Sequence, residues 1–378
     1  MRDQEHHQLI QKAQTILIKV GTSILTNEKG RLDLKIFQKL ARQIVYLKNN
    51  KKKVALVSSG AIASGLHQLG YQHRPQQIVD LQACAAVGQP TLFHHYEKAF
   101  SRHKVSLAQI LITREDLENR RRYINAKNTL QALLNRNVLP IINENDTVMV
   151  EEIKVGDNDN LAALMTNLVE ADLLIILTDC DGLYTEDPRV HKDAKLISLI
   201  QHAEKYSFEK SLKTATRMTT IGGMETKIKA VQTATHFGVP SIIANGHDPH
   251  VIKKIMEGSN TGTLFLSDQT PLAARKHWIG YVLKANGSVT VDAGAAEALI
   301  DGKKSLLPSG IISIQGSFGM GDVVNIMNLE GKKIGCGIVT YNAEELNKIK
   351  KTKSSDIQKI LGYKYTDEAI HRDDLVIL

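Results

Sequence analysis

Cysteine is scarce in this chain of 378 residues, which contains only Cys84, Cys180 and Cys336. They are odd in number, lie far apart and form no C-x-x-C pair, which excludes a disulfide scaffold and a cysteine-based zinc site. Long apolar runs are missing too, because Glu170 and Asp172 interrupt the best candidate. No apolar segment follows the charged first residues. We therefore expect no membrane span, no secretory signal and a reducing, cytoplasmic location.

Negative charge does not balance positive charge evenly along the chain. The net charge is +8, yet residues 278–378 carry 12 basic and 12 acidic side chains, so the whole excess lies in residues 1–277. A positive N-terminal part suits substrates that carry phosphate groups at least as well as it suits RNA. Nucleic acid is therefore not an expected partner.

Short runs rich in Ile, Val and Leu alternate with amphipathic helical stretches from Thr15 to about Phe265. These runs do not alternate strictly with polar residues, which is typical of parallel strands covered on both faces. We predict an α/β fold with an open, mostly parallel sheet, helices on both faces and ligands at the carboxyl ends of the strands. The predicted strands are Ile16–Val20, Val54–Val57, Ala108–Ile112, Val138–Ile142, Leu173–Leu177 and Ser241–Ala244.

The pattern changes after residue 266. The stretch S-D-Q-T-P-L-A-A-R-K-H is polar and contains a proline, which is typical of a linker. Beyond it the apolar runs are shorter and bounded by glycines, which favours a small β-rich domain. The length of the chain also favours two domains. We predict an α/β domain over residues 1–266, a linker over 267–277 and a β-rich domain over 278–378.

Two glycine-containing loops carry a lysine. The first predicted strand ends in K-V-G-T-S, which includes Lys19, and I-G-G-M-E-T-K places Lys227 in the first turn of a helix. Small residues let backbone N–H groups approach a phosphate, and a lysine supplies positive charge. Neither loop is a Walker A motif, and the G-x-G-x-x-G fingerprint of dehydrogenases is absent from the chain. Each loop alone is compatible with an ordinary turn, but the pair favours phosphate binding.

Polar residues also follow other predicted strands. Ser59 and Gly60 begin a helix after the second strand, where free N–H groups suit a carboxylate, although a simple helix cap explains them as well. The segments N-E-N-D, 143–146, and D-N-D-N, 157–160, can hold an ammonium group or a magnesium-bound phosphate, or form turns. Thr178 and Asp179 follow directly after the fifth predicted strand, at a position suited to a nucleoside.

Taken in order along the chain, these motifs resemble the amino-acid kinase family from about Thr15 onward. The motifs are K-V-G-T-S, S-S-G-A-I-A-S-G, N-E-N-D, K-V-G-D-N-D-N-L, L-T-D-x-D-G-L-Y-T-x-D-P and G-G-M-x-T-K. The tail sequence G-S-F-G-M-G-D-V-V-N-I at 316–326 resembles a PUA domain. One departure is Thr220-Ile221, where the family usually has Gly-Thr, so the shape of the second phosphate loop stays open.

Within the family, the motifs resemble the members that open proline biosynthesis. The resemblance implies that L-glutamate and Mg-ATP give γ-glutamyl phosphate and ADP. It implies that Lys19 and Lys227 stabilise the transferring phosphoryl group, with Asp159 orienting them. The implied glutamate-binding residues are Ser59, Gly60, Asp146, Asp157 and Asn158. The implied nucleotide-binding residues are Lys19, Thr178, Asp179, Ile221, Gly222, Gly223, Met224, Glu225, Thr226 and Lys227.

The chemistry of the residues agrees with this implication. A γ-carboxylate is already ionised at neutral pH and needs no general base. Magnesium would enter with ATP, and no metal site made by protein ligands is expected. The resemblance further implies feedback inhibition by proline, a γ-glutamyl phosphate reductase acting downstream, and a homo-oligomer. Two alternatives stay open: a kinase acting on acetylglutamate, carbamate, aspartate or UMP, and a protein that binds RNA through its β-rich tail.

Overall fold

The structure, a computed structural model, describes residues 4–149, 157–186, 188, 190–203, 223–268, 285–302 and 304–377. The chain divides into two units, one of residues 1–117 and 126–270 and one of residues 118–125 and 271–378. Most of the linker predicted at 267–277 lies outside the described residues, so its boundaries stay a prediction.

An eight-stranded sheet forms the centre of the first unit. Its strands are β1 Thr15–Val20, β2 Lys53–Ser58, β3 Leu107–Ile112, β4 Leu139–Glu144, β5 Leu173–Thr178, β6 Leu199–Ile200, β7 Ser241–Asn245 and β8 Thr263–Phe265. Their order is β3-β4-β2-β1-β5-β7-β8-β6, and β7 with β8 is the one antiparallel pair among the described strands of this sheet. The prediction of an open, mostly parallel sheet is confirmed.

Helices connect these strands along the sequence. They are α1 Gln4–Lys12, α2 Thr22–Leu25, α3 Leu34–Asn49, α4 Ala61–Gln68, α5 Ile78–Phe100, α6 Arg114–Glu118, α7 Arg120–Asn135, α8 Asp157–Val169, α9 Met224–His236 and α10 Val251–Met256. Short 3₁₀ turns follow at Ser101–His103 and Asp146–Val148. Every residue of β5 is buried. Because successive side chains of a strand point to opposite faces, both faces of the sheet are covered at its centre.

Helix α3 shows how the sequence specifies one of these elements. The Asp33 side chain accepts a hydrogen bond from the backbone N–H of Lys35 at 2.9 Å and caps the first turn. Leu40, Ile44 and Leu47 recur at the helical spacing and are fully or almost fully buried. The cap begins the helix, and this apolar stripe binds it to the sheet.

Helices α4 and α5 approach each other through glycine. A Cβ atom at Gly65 would lie 1.9 Å from the carbonyl oxygen of Cys84, and one at Gly88 would lie 1.9 Å from that of Ala61. Only glycine allows two helix backbones to come this close. The contact places the middle of α5 against the first turn of α4, beside the end of β2.

The second unit contains a separate five-stranded sheet. Its strands are β9 Ala285–Val291, β10 Ile311–Gly316, β11 Val323–Met327, β12 Lys333–Ile338 and β13 Leu375–Ile377, in the order β10-β9-β11-β12-β13. Helices α11 Ala293–Ile300, α12 Ala343–Ile349 and α13 Ile357–Leu361 accompany it, with 3₁₀ turns at Pro308–Gly310, Ser354–Asp356 and Arg372–Asp374. Its own apolar core includes Val289, Ile326 and Tyr341. The prediction of a β-rich tail is confirmed.

No helix in the described part of the chain combines the length and apolar content that crossing a membrane requires.

Candidate active site

Polar side chains collect at the carboxyl ends of the four neighbouring parallel strands β4, β2, β1 and β5. Lys19 is the penultimate residue of β1 and lies in register with Val57 of β2 and Ile176 of β5. Thr178 is the last residue of β5. The backbone N–H of Ser59, just after β2, donates to the carbonyl of Val20 at 3.1 Å. The ends of these strands therefore form one edge, where ligands of such sheets bind.

Two lysines share one buried carboxylate at this edge. The Nζ of Lys19 lies 2.6 Å from Oδ1 of Asp159, and the Nζ of Lys227 lies 3.5 Å from its Oδ2. The side chains of Lys19, Lys227 and Asp159 are 6%, 12% and 1% exposed. A Cβ atom at Gly21 would lie 3.5 Å from the Lys19 amine, so the glycine turn passes directly beside it. Residues separated by 208 positions in the sequence thus form one cluster.

Burial and the ion pair between Lys19 and Asp159 shift the pKa values of these two groups in opposite directions. Burial lowers the pKa of Lys19 below its ordinary value, and the nearby Lys227 charge adds to this, while Asp159 opposes it. Burial alone would raise the pKa of Asp159, but the Lys19 and Lys227 charges outweigh burial and hold that pKa below its ordinary value. Asp159 is therefore ionised at neutral pH and holds both lysine side chains in place.

The first turn of α9 is joined to the same carboxylate. The Thr226 hydroxyl lies 2.8 Å from Oδ2 of Asp159 and 2.9 Å from the carbonyl oxygen of Gly223, and it can donate to either. Gly223 is the N-cap of α9. Lys227 lies in the same first turn, so the N-terminus of α9, with its partial positive charge, adjoins the lysine cluster.

A chain of side-chain amides lies on the other side of the cluster. The Nδ2 of Asn158 donates to Oγ of Ser59 at 3.1 Å and to Oδ1 of Asn143 at 3.2 Å. The Nδ2 of Asn143 donates to Oε1 of Gln89 at 2.8 Å. The Oδ1 of Asn158 is buried and has no hydrogen-bond partner within the described ranges. A buried acceptor without a partner is costly, so this atom is suited to a donor from a ligand.

The turn between β2 and α4 is held from below by a buried hydroxyl pair. The Ser58 Oγ and the Tyr96 OH lie 2.7 Å apart. Burial raises the pKa of Tyr96, against the lowering effect of the Ser58 hydrogen bond, so the phenol stays neutral. Gly60 follows with a φ of 110°, a left-handed conformation that favours glycine, and it caps α4.

Thr178 and Asp179 border the opposite side of the edge. The Thr178 hydroxyl donates to Oδ1 of Asp179 at 3.0 Å, and Gly246 N–H donates to the Thr178 carbonyl at 2.8 Å. Further out, the Asn245 Nδ2 donates to Oδ1 of Asp181 at 2.9 Å. The loops after β5 and β7 are therefore tied to each other.

Comparison with known proteins identifies this arrangement. The model of the amino acid kinase family matches residues 14–245, and the model of the PUA domain matches residues 287–361. The chain belongs to the amino acid kinase family. The predicted resemblance to this family, with a PUA domain as the tail, is confirmed.

Similar proteins in the family cover almost the whole chain. A glutamate 5-kinase of Caldanaerobacter subterraneus is 49% identical over 96% of this chain and 97% of its own. A glutamate 5-kinase of Myxococcus xanthus is 43% identical over 98% and 97%. A solved UMP kinase from Bacillus anthracis covers 68% of this chain and 97% of its own, with 14% identity and a TM-score of 0.48.

The structure brings together several of the residues for which the family resemblance implies a role. Lys19, Lys227 and Asp159 are in contact, and Ser59 is joined to Asn158. Asp146 begins the 3₁₀ turn after β4. By contrast, the Glu225 carboxylate is exposed and pairs with Lys229 at 2.7 Å. The remaining members fall as follows: Ile221, Gly222 and the side chain of Asp157 lie outside the described residues, and Met224 is half-buried in the first turn of α9.

Gln89 and Tyr96 were not predicted as part of the site. Gln89 lies in the middle of α5 and Tyr96 in its C-terminal part, and along the sequence neither is near a predicted strand end or phosphate loop. Asn143 lies within the predicted N-E-N-D motif but received no role of its own. For the helix residues the sequence carries no local signal, because their contacts depend on how α4 and α5 pack.

Proposed function

We propose that this chain is a glutamate 5-kinase. An oxygen of the γ-carboxylate of L-glutamate attacks the γ-phosphorus of ATP, the bond to the β–γ bridging oxygen breaks, and γ-glutamyl phosphate and ADP result. The observation that carries the proposal is the pair of lysines that one buried carboxylate holds at the carboxyl edge of the sheet. Relatives of 43–49% identity that bear this name support glutamate as the acceptor.

The lysine cluster supplies what this reaction needs. The attacking carboxylate is ionised and requires no base, so the main barrier is the approach of one anion to another. Positive charge aimed at the transferring phosphoryl group and its leaving oxygen lowers that barrier. Lys19 and Lys227 supply this charge, and Asp159 orients both amines without leaving the ionised state.

The amide cluster suits the amino-acid end of glutamate. An ammonium group donates hydrogen bonds only, and the buried Oδ1 of Asn158 is an acceptor that lacks a partner within the described ranges. The half-buried Asp146 adds negative charge after β4. Ser59 and the N-terminus of α4, with Gly60 as its cap, suit a carboxylate.

The other side of the edge suits Mg-ATP. Thr178 and Asp179 would contact the nucleoside. The N-terminus of α9, from its cap Gly223 to Thr226 and Lys227, would receive the phosphates. Magnesium would arrive as part of this substrate and neutralise charge on the phosphates. The proposal also includes inhibition by proline, a reductase that acts on the product, and formation of a homo-oligomer. It further includes a cytoplasmic location and separable domains with the predicted boundaries.

Trapping the product tests the proposal. An acyl phosphate reacts with hydroxylamine, so purified protein with glutamate, Mg-ATP and hydroxylamine should form γ-glutamyl hydroxamate in step with ADP. Folded Lys19→Met protein should form both on the order of 10²–10³-fold more slowly. ADP release without hydroxamate, or no glutamate-dependent ADP at all, would contradict the proposed function.

A further inference from the structure

We infer that Gln89 and Asn143 are positioning residues that set the orientation of the Asn158 amide and thereby make the site select a free ammonium group. The inference rests on the proposed function and adds to it the origin of selectivity at the α-nitrogen of the substrate. Gln89, Asn143 and Asn158 form a hydrogen-bond relay that begins at a backbone donor of fixed direction and ends at the substrate pocket.

The fixed donor is the backbone N–H of Glu144, which donates to Oδ1 of Asn143 at 2.9 Å. A side-chain amide can turn over and exchange its oxygen and nitrogen, but a backbone N–H cannot become an acceptor. The oxygen of Asn143 must therefore face Glu144. Its nitrogen must face the opposite way, toward Gln89.

Gln89 secures this orientation from the other end. Its Oε1 accepts from Nδ2 of Asn143 at 2.8 Å, and both side chains are buried. Gln89 is placed here by its neighbour Gly88, whose missing side chain lets α5 approach the carbonyl of Ala61. The close contact of the two helices thus carries an acceptor to the end of β4.

The orientation of the Asn143 amide fixes that of the Asn158 amide. The oxygen of Asn143 accepts from both Glu144 N and Asn158 Nδ2, which uses its two lone pairs. The second hydrogen on Asn158 Nδ2 goes to Oγ of Ser59. Both hydrogens of the Asn158 amide are thus used, and its oxygen is left buried without a partner in the described part of the chain.

The orientation of the Asn158 amide determines which substrate group the site accepts. If Asn158 turned over, its NH₂ group would face the substrate and repel an ammonium group. With the relay intact, the site presents an acceptor, which an ammonium satisfies and a methylene group does not. Glutarate has both carboxylates of glutamate and no ammonium, so it should not benefit from this acceptor.

The test compares Gln89→Met with the wild type. Methionine is similar in size but removes the acceptor for Asn143. We expect the KM for glutamate to rise on the order of 10-fold, as loss of one buried hydrogen bond allows. The KM for ATP and the inhibition constant of glutarate as a competitor of glutamate should each stay within about twofold. Gln43→Met is the matched control, because Gln43 is buried and its Oε1 accepts from Ile252 N at 2.9 Å, in a purely structural contact.

The outcomes separate this inference from the proposed function. An unchanged KM for glutamate, an equal rise in the glutarate inhibition constant, or the same kinetic change in Gln43→Met would overturn the relay while the wild type still phosphorylates glutamate. No glutamate turnover by the wild type would instead refute the proposed function. If Gln89→Met does not fold, Gln89→Glu takes its place: it keeps an acceptor for Asn143, so the KM for glutamate should stay within about threefold. A 10-fold rise would contradict the inference.

Discussion

Replacing Asp159 with asparagine tests the central electrostatic feature of the site. The change keeps the shape of the side chain and removes the charge that two lysines share at 2.6 and 3.5 Å. Breaking a buried ion pair by removing one partner costs about 3–5 kcal/mol. We expect the lower end of that range, because Lys19 can lose its proton instead of remaining a buried, uncompensated charge.

The same change alters how activity depends on pH. Burial already lowers the pKa of Lys19, and Asp159 is the group that opposes this effect. Without that carboxylate the pKa of Lys19 falls further, so the amine loses its charge at a lower pH. The alkaline decline of kcat/KM, which in the wild type should begin below the ordinary lysine value of 10.5, should therefore move to lower pH in Asp159→Asn. At neutral pH we expect kcat to fall on the order of 10²–10³-fold.

Urea unfolding and a pH profile of kcat/KM measure both effects. Asp172→Asn is the matched control, because Asp172 accepts from the backbone N–H groups of Gln14 and Thr15 at 2.8 Å each, in a structural role. It should lose about 1–3 kcal/mol of stability and keep its kcat and pH profile. An Asp159→Asn protein with wild-type stability and an unshifted alkaline limb would refute the electrostatic reasoning.

Four further variants probe the lysines, the glutamate pocket and the helix contact. Lys19→Ala or Lys227→Ala should lower kcat on the order of 10²–10³-fold, and near-normal kcat in a folded variant would remove that lysine from the mechanism. Asp146→Ala should raise the KM for glutamate far more than the KM for ATP; equal rises would indicate a collapsed loop instead. Gly88→Ala should cost at least about 1–3 kcal/mol in urea unfolding, because its Cβ would lie 1.9 Å from a carbonyl oxygen. Unchanged stability would show that α4 and α5 can separate easily.

The sheet was predictable because each central strand is a buried apolar run followed by a polar turn. The predicted strand at Ile16–Val20, for example, differs from β1 by one residue. Strands β6 and β8 have two and three residues, which is too short for any periodic signal, and they were missed. Local sequence therefore specifies the long elements, while the short ones depend on their neighbours in space.

The site likewise contains residues that the local sequence reveals and residues that only their spatial neighbours reveal. Lys19 and Lys227 were recognisable because each lies in a glycine-containing loop at the end of a strand or the start of a helix. Gln89 was not recognisable, because its proposed role depends on a helix contact through Gly88 that the neighbouring sequence does not indicate. The residues proposed to contact ligands carried a sequence signal, whereas Gln89, which is proposed to act through a second side chain, did not.

The most direct test of the proposed function is ADP release measured with glutamate, acetylglutamate, aspartate, carbamate and UMP as separate acceptors. The buried acceptor at Asn158, the lysine cluster and the names of the relatives together predict turnover with glutamate alone. Mg-ATP should be required, and the signal from folded Lys227→Ala protein should be lower on the order of 10²–10³-fold. Turnover with any other acceptor at a rate equal to or above that with glutamate would contradict the account.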